Sequence, residues 1–150
     1  MKKNKNKSKA ITLIEIMVVI AILGIIASIT AGFIKYYQPN IQLTTEIRKI
    51  RSDINEARER TISEQIEYII VFNKENNQYS MFRSDNAENP IFSHILNSEI
   101  SFLEINGFTQ DTVGFNKSGA TIESGYIILQ NSREQQKTIT INPSGYVYTQ

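Results

Sequence analysis

The sequence predicts an α+β fold in which one long N-terminal helix packs on an antiparallel β-sheet head. Three observations predict it. An uncharged apolar run, Ile16 to Ile34, passes into a segment whose apolar residues recur every three or four positions. The second half of the chain breaks into short β-prone runs separated by polar turns.

The first element is the apolar run. It is 19 residues long, which at helical rise gives about 28 Å, close to the hydrocarbon thickness of a bilayer. Five of the 16 basic residues precede it: Lys2, Lys3, Lys5, Lys7 and Lys9. Such asymmetry orients the N-terminus to the cytoplasm and the remainder outside, as a single-pass protein of the cytoplasmic membrane. Without that stretch, 11 basic residues face 15 acidic ones, so the body is negative and carries no domain-wide nucleic-acid footprint.

Two ordinary readings of the run compete. A removable secretory signal would need small residues at −1 and −3 of a cut. Cleavage after Ala27 or Ala31 puts Ile25 or Ile29 at −3, and Thr30 with Gly32 is a marginal match. A plain anchor must carry Glu15 near its cytoplasmic edge, where a carboxylate gains nothing without a partner. At the bilayer centre it would cost roughly 2.5–3.5 kcal/mol.

The string Lys9-Ala10-Ile11-Thr12-Leu13-Ile14-Glu15, a basic leader running into an apolar span, resembles the cleavage and methylation motif of type IV prepilins and type II secretion pseudopilins. The resemblance implies that prepilin peptidase cuts after Ala10 and methylates the new amine of Ile11. It also implies that Glu15 pairs with the N-terminal ammonium of a neighbouring subunit, so that each charge neutralises the other in an apolar filament core. The family usually has glycine before the cut and phenylalanine after it; here Ala10 keeps the small size and Ile11 the apolar bulk. Implied partners are the peptidase, other pilin or pseudopilin subunits, the inner-membrane assembly platform and membrane lipid.

After Ile34 the pattern becomes amphipathic. Leu43, Ile47, Ile50, Ile54, Ala57 and Thr61 form one stripe, and Glu46, Arg48, Lys49, Arg51, Asp53, Glu56, Arg58, Glu59 and Arg60 read as a solvated face of mixed sign. One helix is expected from about Ile11 to Ser63, roughly 80 Å if uninterrupted. Pro39 predicts a kink near Tyr36–Pro39, and Gly24 and Gly32 are further weak points. The sequence thus divides into a leader (1–10), a transmembrane and assembly helix (11–34), and the rest of the helix with a β-rich head (35–150).

Strands are expected at Ile66–Asn73 and Gln78–Arg83, a hairpin about Lys74-Glu75-Asn76-Asn77. Others are expected at Ile100–Ile105, Thr112–Asn116, Tyr126–Gln130, Thr138–Asn142 and Tyr146–Tyr148, with a loop over Ser84–Pro90. Their even spacing argues for a meander or two small sheets on the helix. The order Val113-Gly114-Phe115, Ser118-Gly119, Gly125-Tyr126-Ile127-Ile128-Leu129, Thr138-Ile139-Thr140-Ile141 and Ser144-Gly145 resembles the globular region of GspH/FimT-type minor pseudopilins. The function implied is a minor structural subunit of a type IV pilus or type II secretion pseudopilus.

Nothing points to catalysis or to a cofactor. There is no cysteine and one histidine, His94, which reads as structural. Glu56 and Glu59 lie on the polar helix face. The loop acids Asp85, Glu88, Asp111 and Glu123 lack calcium-loop spacing. A filament-tip binding module for DNA uptake or adhesion is the alternative role. Nucleic acid is disfavoured because Thr138–Gln150 contains no lysine or arginine, leaving only Lys117, Arg133 and Lys137.

Overall fold

The computed structural model describes residues 12–150; Ala10 and Ile11, the expected processing junction, lie outside them. The chain forms two units divided between Tyr37 and Gln38. A single helix, α1 (Leu13–Glu64), contributes to both. Helical assignment runs through Gly24, Gly32 and Pro39, so none of the three breaks the element in this state. At its far end Gln65 adopts φ 57°, the left-handed conformation that stops a helix. Thr61 then joins helix to sheet: its hydroxyl donates to the Ala57 carbonyl and accepts the Tyr68 amide at 3.0 Å.

The second unit holds eight strands in two four-stranded antiparallel sheets. One comprises β1 (Tyr68–Asn73), β2 (Gln78–Arg83), β3 (Phe92–Ile95) and β5 (Thr112–Gly114), in the order β3-β2-β1-β5. The other comprises β4 (Ile100–Asn106), β6 (Gly125–Asn131), β7 (Gln136–Ile141) and β8 (Val147–Thr149), in the order β4-β6-β7-β8. The β1–β2 hairpin turns through Lys74–Asn77 as the sequence predicts. The Asn76 amide donates to the Asn73 side chain, and Asn77 sits at φ 47°.

Every member of the helical stripe is buried: Leu43, Ile47, Ile50, Ile54, Ala57 and Thr61. Alternate residues of the strands meet it: Tyr68, Ile70 and Phe72 from β1, Tyr79 and Met81 from β2, Ile127 and Leu129 from β6, Ile139 and Ile141 from β7. This is the period-2 against period-3.6 match that closes a sheet on a helix. With no cysteine to cross-link it, the head depends on this burial and on strand pairing.

Two features depart from the sequence expectations. The segment Phe92–Ile95 is a strand, β3, pairing with β2 from Gln78↔Ile95 to Met81↔Phe92. Asp53 belongs to the core rather than to the solvated face. It is 8 % exposed and accepts hydrogen bonds from the Tyr79 hydroxyl at 2.5 Å and the Lys49 ammonium at 3.2 Å. A carboxylate can be buried there because both partners satisfy it.

Candidate assembly site on the N-terminal helix

The N-terminal unit concentrates its polar groups at the start of α1. Thr12 precedes the helix, and its Oγ1 accepts the Glu15 amide at 3.3 Å while its carbonyl accepts the amides of Glu15 and Ile16. Helix starts leave amides without intrahelical partners, and a threonine at this position satisfies one of them. Thr12-Leu13-Ile14-Glu15 is thus the spacing of a capping box, with the acid three residues beyond the cap. Glu15 also lies in the first turn, where the helix dipole favours negative charge. Thr12 is the residue that sequence reasoning passed over, although a threonine, two residues and an acid ahead of an apolar run is a readable signal.

Beyond this cap the helix presents a continuous apolar surface. Leu13–Thr30 has a mean hydropathy of 2.6 and none of it is buried within the molecule. Its two hydroxyls are spent internally: Ser28 donates to the Gly24 carbonyl and Thr30 to the Ile26 carbonyl, each at 2.8 Å. Side-chain polarity is so removed from the surface, as a low-dielectric surrounding requires. Toward the end of the unit Phe33 stacks on Tyr37, which meets Tyr36 edge-on.

In the head, polar groups tie elements together instead of converging on a pocket. His94 of β3 shares a 2.9 Å hydrogen bond with Glu46 of α1, whose other oxygen accepts the Asn97 amide. The expectation of a structural histidine is consistent with this placement. The Tyr79 ring lies tilted at 60° to that of His94, and its hydroxyl is held by Asp53; burial, then that hydrogen bond, push its ionisation far above the ordinary phenol range. Glu56 pairs with Arg60 rather than with Glu59. The loop acids are occupied separately. The Arg83 guanidinium lowers the pKa of Asp85, and hydrogen bonds from Thr109 lower that of Glu123. Among the described residues no cluster of three metal-ligating side chains occurs.

The comparisons agree with one another. Residues 5–31 match the prokaryotic N-terminal methylation motif, and residues 46–145 match the family model of type II transport protein GspH. No curated protein sequence matches the chain. Among solved structures, the type IV minor pilin FimU of Pseudomonas aeruginosa PAO1 is similar over 77 % of this chain and 92 % of its own, at 12 % identity and a TM-score of 0.60. The minor pseudopilin EpsH of the Vibrio cholerae type 2 secretion system is similar over 73 % of this chain and 96 % of its own, at 9 % identity and the same TM-score. At such identity the likeness is one of fold.

Proposed function

The chain belongs to the type II transport protein GspH family, and from that premise we propose that it is a minor filament subunit whose leader is removed between Ala10 and Ile11. The family and the methylation motif support a structural pilus or pseudopilus subunit. In the proposed sequence of events, prepilin peptidase cuts after Ala10 and the amine of Ile11 is methylated. The span holds the subunit in the cytoplasmic membrane, leader side inward, until the assembly platform extracts it. Glu15 then accepts the Ile11 ammonium of a neighbouring subunit.

One observation carries this reading: an acid stands in the first turn of an otherwise uncharged, wholly exposed span. A plain anchor has no use for it, whereas a new cationic terminus four residues upstream gives it a partner. Mass spectrometry of the protein from cells with an active prepilin peptidase tests the proposal. A chain starting at methylated Ile11 is expected; an intact leader would overturn it.

A DNA-binding tip role is not favoured. Lys137, the basic side chain of β7, is spent on the Thr44 hydroxyl at 2.8 Å. Lys117 stands exposed in its turn, and the segment Thr138–Gln150 holds no lysine or arginine.

A further inference from the structure

A strand covered on both faces is apolar on both, whereas one with a face in water alternates. β1 is apolar on both. Tyr68, Ile70 and Phe72 enter the core, while Ile69 and Val71 point the other way and are half-buried. What partly covers them is chain passing between the two sheets, the β4–β5 link and the β5–β6 link. A groove of about 420 Å³ lies there, lined by Ile69 and Val71, by Thr109 and Gln110 of the first link, and by Ile122 and Glu123 of the second.

The two links cross in backbone contact. A Cβ at Gly107 would lie 2.5 Å from the Ser124 carbonyl oxygen, and one at Gly125 would lie 2.1 Å from the Asn106 carbonyl oxygen. The first link then reverses at Gln110 and Asp111, at φ 53° and 51°, and the Thr112 amide closes on the Thr109 carbonyl. Two successive residues at positive φ make a mirror-image turn, which Asn-Gly ordinarily fills. Glutamine and aspartate keep that strained shape when their surroundings impose it.

Glu123 imposes it. Its Oε2 accepts the Thr109 amide at 2.5 Å and its Oε1 accepts the Thr109 hydroxyl at 2.6 Å, which fixes the residue where the turn begins. Among the described residues no cation forms an ion pair with Glu123. The titratable groups on the elements around it are Asp111 in the turn, Tyr68 on the core face of β1, and Glu104 with Tyr126, bonded to each other at 2.7 Å.

We propose that the Thr109–Asp111 turn is a strap: the ionised Glu123 carboxylate holds it shut over the outer face of β1, and neutralising that carboxylate lets it lift. Charge assistance strengthens both bonds to Thr109 and is lost on protonation. The Thr109 hydroxyl, then its amide, lower the pKa of Glu123. The strap is therefore fully held above the ordinary value of 4.5 and loosens as pH falls through the lower folded value. Backbone strain supplies the drive to open, and the open state bares Ile69 and Val71.

The chain lacks cysteine, so Val71→Cys in the full chain is a single reporter of the groove. Adding Glu123→Ala should speed its labelling by a maleimide at pH 7 about tenfold, by raising the open population. Gln110→Asn with Asp111→Gly gives the turn its ordinary pair and removes the strain. Added to the Glu123→Ala chain, this replacement should return labelling to the parent rate. A rate indifferent to Glu123→Ala, or an acceleration that the new turn does not reverse, would overturn the strap. If Val71→Cys disturbs the fold, hydrogen exchange on the unsubstituted protein decides. Protection of the Thr109 amide, corrected for intrinsic exchange, should fall below pH 4.5 while that of Ile139 in β7 holds. Constant protection at Thr109, or equal loss at both amides, counts against a local release.

Discussion

Arg58 of the helix donates from Nε to the carbonyl oxygen of Gly119 at 2.7 Å, across 61 positions of sequence. Gly119 and Gly145 both sit at positive φ, 83° and 79°. A Cβ at Gly145 would overlap that same carbonyl oxygen. One side chain and two turns therefore meet at a point where only hydrogen fits.

Gly145→Ala should be costly on two counts, the left-handed backbone and the clash. The backbone strain alone is about 1–3 kcal/mol. Arg58→Ala should cost less, about 1.5–3 kcal/mol for a charged hydrogen bond. Denaturant unfolding of the two variants and their double mutant checks both the ranking and the coupling. Fully additive losses would show that the two turns are held independently.

Tyr79 predicts a pH dependence of known sign. Its pKa is raised in the folded head, so above the ordinary value of 10.0 the unfolded chain releases this proton while the folded one keeps it. Stability from this group is complete below that pH and falls as pH rises above it. Tyr68 and Tyr126 are shifted the same way, so Tyr79→Phe should flatten the alkaline loss without removing it. The same variant leaves Asp53 with Lys49 alone and should cost about 1–3 kcal/mol near neutral pH. Chemical unfolding at pH 7 to 11 measures both effects.

Glu15→Gln and Thr12→Ala separate two uses of the helix start. If Glu15 serves the filament, Glu15→Gln should leave leader removal and membrane insertion intact and abolish recovery in sheared filaments. Thr12→Ala removes only a cap, about 0.5–2 kcal/mol, and should reduce recovery modestly. Equal loss in both variants would mean that the acid acts through the helix terminus.

Orientation can be read with thiols as well. In cells without prepilin peptidase, where the leader is kept, Ser8→Cys should react with an impermeant maleimide only after the cells are opened, and Ser132→Cys, exposed in the β6–β7 turn, before. The reverse pattern would invert the topology drawn from the lysine asymmetry.

What the sequence disclosed was what depends on local period. The stripe from Leu43 to Thr61 and the Lys74–Asn77 hairpin stand where their spacing puts them, because a helix face and a two-strand turn are short-range facts. Asp53 was illegible because its partner Tyr79 comes from a strand 26 positions away, and a carboxylate read by type alone goes to water. β3 was missed because four residues, two of them Ser93 and His94, give no alternation to detect. The division into two sheets rests on pairings such as Ile70↔Val113, which no window of sequence contains. At the N-terminus the acid was legible and its capping threonine was readable but unread.

The Thr44–Lys137 bond spans 93 positions, and pairings of that reach have a kinetic consequence. Local helix forms in microseconds or less, while distant strands must search for one another. Until residues 136–149 emerge, the stripe of α1 has no complete sheet to cover it and is an apolar face without its partner, on the same helix as the apolar run. Such a helix can rest its apolar face on the bilayer surface. If lipid anchors the subunit as proposed, it would then also shelter the unfinished core.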